Sequence, residues 1–497
     1  MEEQENKNEY SYRRRYSETF EGIVNTFEWL LLALILALVF RAFAVEPFQI
    51  PTGSMAETLR GVHYHIRCSQ CGYGYEVGGD ALLIDRPQCP SCGYKQPVGM
   101  TGPILNGDRI FVLKCIYQFF QPKRWDAVVF KNPLNPRENY IKRLIALPDE
   151  TVQIIDGDVY IDGRIARKPF GVQQELWMCV YDNDYQPFGG QRRFTGQIAA
   201  GIDRGNRIWK QRFENEEDSH WDLSAAGPTV FGLDAPAGRI HTLVYNSDRG
   251  NDFRAGYAYN ADRDHSAEPI CGDLMVRFFV KMAEKDGQVG AAIVKNGTEY
   301  VGRLESGGSM LIEKVENGQR TELRRLSAGL FESGPTREFS FAAVDGRLVL
   351  RFGQSRLSAD LPSEAVGSES QPRQPIVKIF GAGRLQLRHI AVCRDTYYIS
   401  DGIERATKDE PFTLKPDEFF VCGDNSPNSL DGRLWRGRGQ GNNGASYREG
   451  IVPRDFMMGK AFFVYWSEAF SPAANTVPMI PNMDQFRLIA GGSEQAY

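Results

Sequence analysis

One segment of this chain limits what everything after it can be. Ile23–Val45 runs for 23 residues, is wholly apolar over Leu30–Phe40, and keeps its polar members Asn25, Thr26, Glu28 and Arg41 near its ends. At about 1.5 Å per residue, a helix of this length crosses a hydrocarbon core of about 30 Å. The 3.6-residue amphipathic period of a soluble surface helix is absent. Trp29 suits an interface, and Arg13, Arg14 and Arg15 place the preceding end in the cytoplasm by the positive-inside rule. No later stretch is long enough to span, so the remainder is expected on the far side of the membrane. The rival reading is a cleaved signal peptide: Ala42-Phe43-Ala44 offers a small-x-small site, but Arg41 directly before it favours a retained anchor.

The rest reads as a β-rich body. The 497 residues allow about three domains. With 42% hydrophobic and 24% charged residues the chain is neither disordered nor fibrous. A net charge of −5 gives no basic balance that would point to nucleic acid. The 50 glycines, 30 Phe and 21 Tyr suit many turns and strands. Alternation predicts strands at Arg109–Leu113, Ala127–Phe130, Tyr140–Ile145, Thr151–Ile155 and Val159–Ile161, with Asp156-Gly157 and Asp162-Gly163 as turns. Further strands are predicted at Leu274–Lys281, Val289–Lys295, Glu299–Leu304, Ser309–Lys314, Glu338–Ala343 and Arg347–Phe352, at the spacing of a sandwich. Lys460–Trp466 is a last strand, and residues 361–375 read as a loop.

Cys68-x-x-Cys71-Gly72-Tyr73 and Cys89-x-x-Cys92-Gly93-Tyr94 are near copies, 17 residues apart. That is zinc-ribbon spacing: four thiolates closing a tetrahedral, structural site. Two disulfides are the alternative, since the anchor puts these cysteines outside the cytoplasm.

Catalytic chemistry is signalled just after the anchor. In Ile50-Pro51-Thr52-Gly53-Ser54-Met55, Pro51 fixes its own φ and Gly53 permits an unusual one, so a small rigid turn can present the Ser54 hydroxyl. None of the six histidines sits in a persuasive catalytic setting. Lys142, in the apolar strand Tyr140–Ile145, is the other candidate base. Burial disfavours the ammonium form, and a neutral amine can take a proton from a serine hydroxyl.

Four blocks in order, Pro51–Leu59, Gly107–Val112, Arg124–Glu150 and Gly423–Arg433, resemble those of type I signal peptidase, the membrane-bound serine–lysine protease family that removes signal peptides. Pro51–Leu59 is similar to its nucleophile box and Gly107–Val112 to the next. Arg124–Phe130 with Tyr140–Arg143 and Leu147–Glu150 is similar to its lysine box, and Gly423–Arg433 to its last. The resemblance implies Ser54 as nucleophile and Lys142 as general base. Thr52 falls where the family has an oxyanion-hole hydroxyl beside the Ser54 N–H, and Ser429 where a serine orients the lysine amine. Asp431 and Arg433 match a supporting ion pair, Asp424 and Asn425 shape the same turn, and Arg143 is expected to be structural. No catalytic cofactor is implied. Three departures stand out: Glu57 where proline is usual, Gly432 where serine is usual, and Thr52 for the commoner serine.

The resemblance also implies a substrate site. An extended peptide of a preprotein would add as a strand near Phe48–Pro51 and Glu138–Ile141. Ile50, Pro51, Met55, Leu59, Tyr140 and Ile141 would line shallow pockets for the small residues of an Ala-x-Ala site. The expected plan is a mostly β protein in which residues 1–22 form a cytoplasmic tail and 23–45 the transmembrane anchor. A signal-peptidase β-fold core takes 46–63, 99–169 and 411–475, and a zinc ribbon takes 64–98. The β-rich insertion 170–410 holds a sandwich over about 236–395, faintly similar to jelly-roll or concanavalin-like folds, and 476–497 is a tail. A carbohydrate or cell-surface ligand of that sandwich, with Trp177, Trp209 and Trp221 as stacking candidates, is a further expectation. Lipid is the other partner, and the bacterial inner membrane the expected location. The alternative is a tethered binding protein with a degenerate peptidase core.

Overall fold

The computed structural model describes residues 22–39, 41, 43–79, 87–96, 104–187, 193–194, 207–208, 210–225, 227–249, 251–260, 268–283, 287–305, 307–327, 335–361, 374–441, 444, 446–467 and 483–492. Its one helix long and apolar enough to cross a membrane is Gly22–Val39, with a mean hydropathy of 2.1 and none of it buried against protein. The arginines at 13–15 and the polar tail lie outside the described residues.

Among the described residues every pairing between strands is antiparallel. The first sheet carries the motif residues. Its strands run in the order Val45–Gln49, Arg109–Leu113, Met457–Trp466, Ala127–Lys131, Asn139–Ala146, Glu418–Cys422 and Val452–Pro453, with Arg487–Leu488 added beside Met457–Trp466. Three strands separate Val45–Gln49 from Asn139–Ala146, yet the turn after the first meets the second through Ser54 and Lys142. The sheet is therefore strongly coiled, bringing its ends together across an apolar filling of Ile50, Met55, Leu59, Ile110, Val112, Ala127, Val129, Ala461 and Val464.

Residues 483–492 correct the expectation of a C-terminal tail. Arg487–Leu488 pairs with Phe463 and Val464, and Ile489 N–H donates to Phe462 O. Arg487 reaches Thr58 O at 2.7 Å, and Ala490 O accepts from Arg143 at 2.9 Å. The signal was weak because the paired stretch is only two residues long.

The middle of the chain forms two seven-stranded sheets that share one apolar core, including Val276, Phe278, Phe339, Phe341 and Leu350 from one sheet and Leu243, Val289, Ile293, Ile312 and Ile379 from the other. Strands were expected from about residue 236, but Met178–Asp182 and Phe213–Asn215 already belong to these sheets. Trp221 is a core residue, its indole N–H donating to His241 O at 2.9 Å. Trp177 packs partly buried beside Met275, and Trp209 lies outside the described residues.

Buried charge joins the two bodies. Lys168 lies 2.6 Å from Asp345 and 2.7 Å from Asp395, all three buried. Gln173 donates to Asp395 at 2.7 Å, and Lys295 pairs with Asp273. Asp158, Asp273 and Asp345 converge, but these two lysines lie in the same network, so it reads as an ion-pair junction. Removing one partner of a buried pair leaves an uncompensated charge and costs about 3–5 kcal/mol. Lys168→Met is accordingly expected to lose about that much in urea denaturation of the detergent-solubilised chain. A midpoint within error of the parent would mean that the junction contributes little.

Candidate active site

The nucleophile turn is held at both ends before it is held in the middle. Ile50 N–H donates to Asp108 O at 2.9 Å, and Asp108 N–H to Arg60 O at 2.9 Å. The buried Asp108 carboxylate returns a bond by accepting from Arg60 N–H at 3.0 Å. This is what the Gly107-Asp108 block does. A Cβ on Gly107 would stand 1.8 Å from Ile50 O, so the close approach demands glycine.

Between these clamps, Gly53–Met55 makes one turn of 3-10 helix, with Ala56 N–H closing on Gly53 O at 3.0 Å. Ser54 is buried and Thr52 exposed. Met55 and Leu59 are fully buried in the sheet core, and Ile50 nearly so. A tight turn presenting a hydroxyl must anchor itself, and these three side chains, expected along the substrate, are its anchors. Of the six residues expected at the substrate, Pro51 is exposed, and Tyr140 and Ile141 are half-buried.

Lys142 Nζ lies 2.5 Å from Ser54 Oγ. Strand alternation turns Lys142 and Arg143 to opposite faces. Arg143 forms a two-pronged pair with Asp424, at 3.1 and 2.6 Å, and also holds Trp125 O at 3.0 Å. These bonds tie Arg143 to the Gly-Asp-Asn turn and to Trp125. Burial pushes the Lys142 amine down to about 8, against the opposing pull of the Asp431 carboxylate. Asp431 itself would be pushed up by burial, but the Arg433 guanidinium, bonded at 2.9 and 2.7 Å, holds it below the usual carboxylate range.

Asp431 accepts from Gly423 N–H at 2.9 Å and so fixes the Gly-Asp-Asn turn. At Gly423 a Cβ would stand 2.3 Å from both Ser429 Oγ and Ser54 O, which again demands glycine. Ser429, expected to orient the lysine amine, lies buried beside Asp431, and its hydroxyl helps to keep that carboxylate ionised. Asn425 grips the nucleophile turn, its main-chain N–H donating to Ser54 O at 3.1 Å and its side chain to Gly53 O at 2.9 Å.

Sequence reasoning did not find Tyr257, Tyr259 and Asn260, which come from the middle insertion. Tyr257 donates to Asp424 O at 3.1 Å, Tyr259 to Val62 O at 3.2 Å, and Asn260 to Asn425 Oδ1 at 2.7 Å. The only local signal is two tyrosines in an otherwise polar stretch.

The four module cysteines lie with their sulfurs within 4.8 Å of one another. Cys68–Cys92 and Cys71–Cys89 are each 3.6 Å apart, far beyond a disulfide bond of about 2.05 Å. Four thiolates about 2.3 Å from a central zinc would stand nearly that far apart. Each Cys-x-x-Cys turn closes alike: Gly72 N–H donates to Cys68 O and Gly93 N–H to Cys89 O, both glycines at positive φ. The residues fit a tetrahedral metal.

A serine hydroxyl bonded to a buried amine is an arrangement in which a lysine can serve as base to a serine nucleophile. The profile of the signal peptidase family, peptidase S26, matches residues 94–201 and 388–466. Signal peptidase I of Rickettsia massiliae is 33% identical over 239 residues, covering 47% of this chain and 73% of that protein. The Pseudomonas aeruginosa enzyme of the same name is 30% identical over 223 residues, covering 44% of this chain. The chain belongs to the signal peptidase family. It spans 58% of the length of the Pseudomonas relatives. Among solved structures, a carbohydrate-binding module from Bacillus subtilis aligns with 36% of this chain and 94% of its own length, at 8% identity and a TM-score of 0.24, a likeness too slight to carry an argument.

The amine must be neutral to accept the serine proton, and its neutral fraction grows as pH rises through its folded value. At pH 7 an amine titrating near 8 is neutral in about one molecule in ten. Acylation of Ser54 by an activated ester is therefore expected to climb with pH, reach half its plateau near 8, and level off. A burst rate that is flat between about pH 6 and pH 10 would remove Lys142 as the base.

Proposed function

We propose that this protein is a membrane-anchored signal peptidase that cuts preproteins with a Ser54–Lys142 dyad. The observation that carries the reading is the 2.5 Å contact between a buried, pKa-depressed amine and the hydroxyl, within the family's own motif blocks. Ser54 Oγ attacks the scissile carbonyl carbon as Lys142 Nζ takes its proton. The oxyanion of the tetrahedral intermediate meets the Ser54 N–H and the Thr52 hydroxyl. Collapse breaks the C–N bond, and the Lys142 ammonium returns the proton to the leaving amine. Water, deprotonated by the same amine, then hydrolyses the acyl-enzyme. Asp424, Asn425, Asp431 and Arg433 hold the wall on which this takes place. Ser429, buried beside Asp431, belongs to the same wall.

Substrate enters as an added strand. Among the described residues nothing pairs with the outer edge of Val45–Gln49, and Asn139–Ile141 pairs only with Val129–Lys131. Pro51, Tyr140 and Ile141 flank that path. Small residues before the cut suit a groove whose apolar neighbours are already packed inward. The anchor Gly22–Val39 keeps the site near the bilayer from which signal peptides emerge. The tethered-scaffold reading is not favoured, because a degenerate core has no reason to keep a buried amine on the serine.

Residues 64–98 form a zinc ribbon in this reading, with Cys68, Cys71, Cys89 and Cys92 as ligands. Zinc there is structural and supplies folding energy. Residues 178–394 form a jelly-roll-like sandwich that acts chiefly as a scaffold for the site.

Cleavage of a preprotein with an Ala-x-Ala site, in detergent or proteoliposomes, is the test. Ser54→Ala and Lys142→Ala are each expected to lose at least about a thousandfold in rate. Retained cleavage in either variant would overturn the dyad. For the ribbon, the purified chain is expected to carry one zinc by elemental analysis, with its four thiols reactive only after chelation. Two disulfides by mass mapping would overturn the zinc assignment.

A further inference from the structure

A serine hydrolase needs its oxyanion donors aimed before substrate arrives, and here the aim is set by one peptide plane. The bond between Gly53 and Ser54 is trans, so the Gly53 carbonyl and the Ser54 N–H point in opposite directions. Whatever holds the carbonyl therefore directs the N–H. Two donors hold it: Ala56 N–H from within the turn, at 3.0 Å, and from outside the turn the Asn425 side chain, at 2.9 Å. A carbonyl oxygen only accepts, so the Asn425 atom facing it is the amide nitrogen. That leaves Asn425 Oδ1 on the far side, in need of a donor.

Asn260 supplies it. The two amides bond head to tail, Asn260 Nδ2 to Asn425 Oδ1 at 2.7 Å and Asn425 Nδ2 to Asn260 Oδ1 at 2.8 Å. Both side chains are buried. Only a primary amide offers a donor and an acceptor in that arrangement, and water has no ready access to substitute. Asn428 Nδ2 adds a longer contact to Asn260 Oδ1 at 3.4 Å. The segment carrying Asn260 is itself pinned: Tyr259 O accepts from Gly78 N–H at 2.9 Å, and Ala258 packs among the module cysteines. The Tyr259 ring fills the space where a Cβ on Gly53 would go, 2.1 Å from Cε1. Residue 260 lies outside both stretches matched by the family profile.

We propose that Asn260 is a positioning residue for the oxyanion site, acting through Asn425 on the Gly53–Ser54 peptide. The proposal rests on the serine–lysine reading above. The middle insertion is on this view a working part of the catalytic site, because it supplies the group that keeps the Ser54 N–H aimed.

The test uses the full chain in detergent with the Ala-x-Ala preprotein. Wild type and Ser54→Ala come first, since they examine the dyad alone. If wild type does not cut, the preprotein reading fails, and the Asn260 variants are then read by ester acylation of Ser54. Asn260→Asp keeps the shape and the acceptor but loses the donor; Asn260→Leu loses both. Both are expected to lower kcat about 10- to 100-fold, less than deleting an oxyanion donor outright, with KM within about twofold. The pH midpoint stays near 8, because Lys142 is untouched. Asn260→Leu added to Asn425→Ala costs nothing beyond Asn425→Ala alone, since both act on one plane. A kcat within twofold of wild type in Asn260→Leu, or an additive double variant, overturns the proposal. So does a loss that in both variants merely follows a lowered melting midpoint. Should Asn260→Leu fail to fold, Asn260→Asp decides by the same criteria.

Discussion

The burial of one amine is the constraint from which the rest of the site follows. For Lys142 to serve as a base, desolvation must make its charged form costly, and desolvation requires walls. The coiled sheet provides one wall through the turn after Val45–Gln49, and the Gly423–Asp431 turn provides the other. Charges that stand close to the amine are themselves neutralised: Asp431 by Arg433 and Asp424 by Arg143. Without those partners the carboxylates would favour the ammonium and undo the effect of burial. The ion pairs flanking the dyad thus tune the base while holding the turn in shape.

Glycines mark the places where walls come together. At Gly107 and Gly423 the neighbouring main chain passes so near that no Cβ fits. The departure at Gly432 has a similar ground, since a Cβ there would lie 2.9 Å from Phe420 Cε2 and 3.0 Å from Gly450 O. Glu57 stands exposed to solvent. Neither departure touches Ser54 or Lys142.

How much of this could be read in the chain depends on how local each signal was. Ser54 and Lys142 were legible because Pro51, Gly53 and the apolar strand around Lys142 announce their backbones within a few residues. That the four module cysteines would cluster was legible for the same reason. Strands with a clean alternation, such as Leu274–Met282 and Arg347–Phe352, stood out, whereas Gln319–Ser327 did not, being almost entirely polar and exposed. That Met55 and Leu59 pack into the sheet core was not legible, because apolar residues beside a nucleophile look alike whether they face substrate or core. Asn260 was illegible outright: its partner lies 165 residues away, and an asparagine in a polar loop carries no sign of a buried amide pair.

The two insertions leave the register of the catalytic sheet intact because each closes at its own stem. The ribbon departs after Arg60 and returns at Asp108, and these two residues are bonded directly to each other. The middle body departs at Met178 and returns at Arg394, which are cross-strand partners. A loop whose ends are already together adds closure entropy only slowly with its length, so such excursions can be long without straining the core. Closure at the stem does not, however, oblige an insertion to touch the site. Segment 253–260 does so by folding back under the nucleophile turn, between the ribbon and the Gly-Asp-Asn wall. A body hinged only at Met178 and Arg394 could swing; the Lys168 ion pairs and the Asn260–Asn425 amide pair, at two separate points, hold it against the core. These contacts tie the insertion to the turn that carries Ser54, the condition under which one of its residues can bear on that turn's geometry.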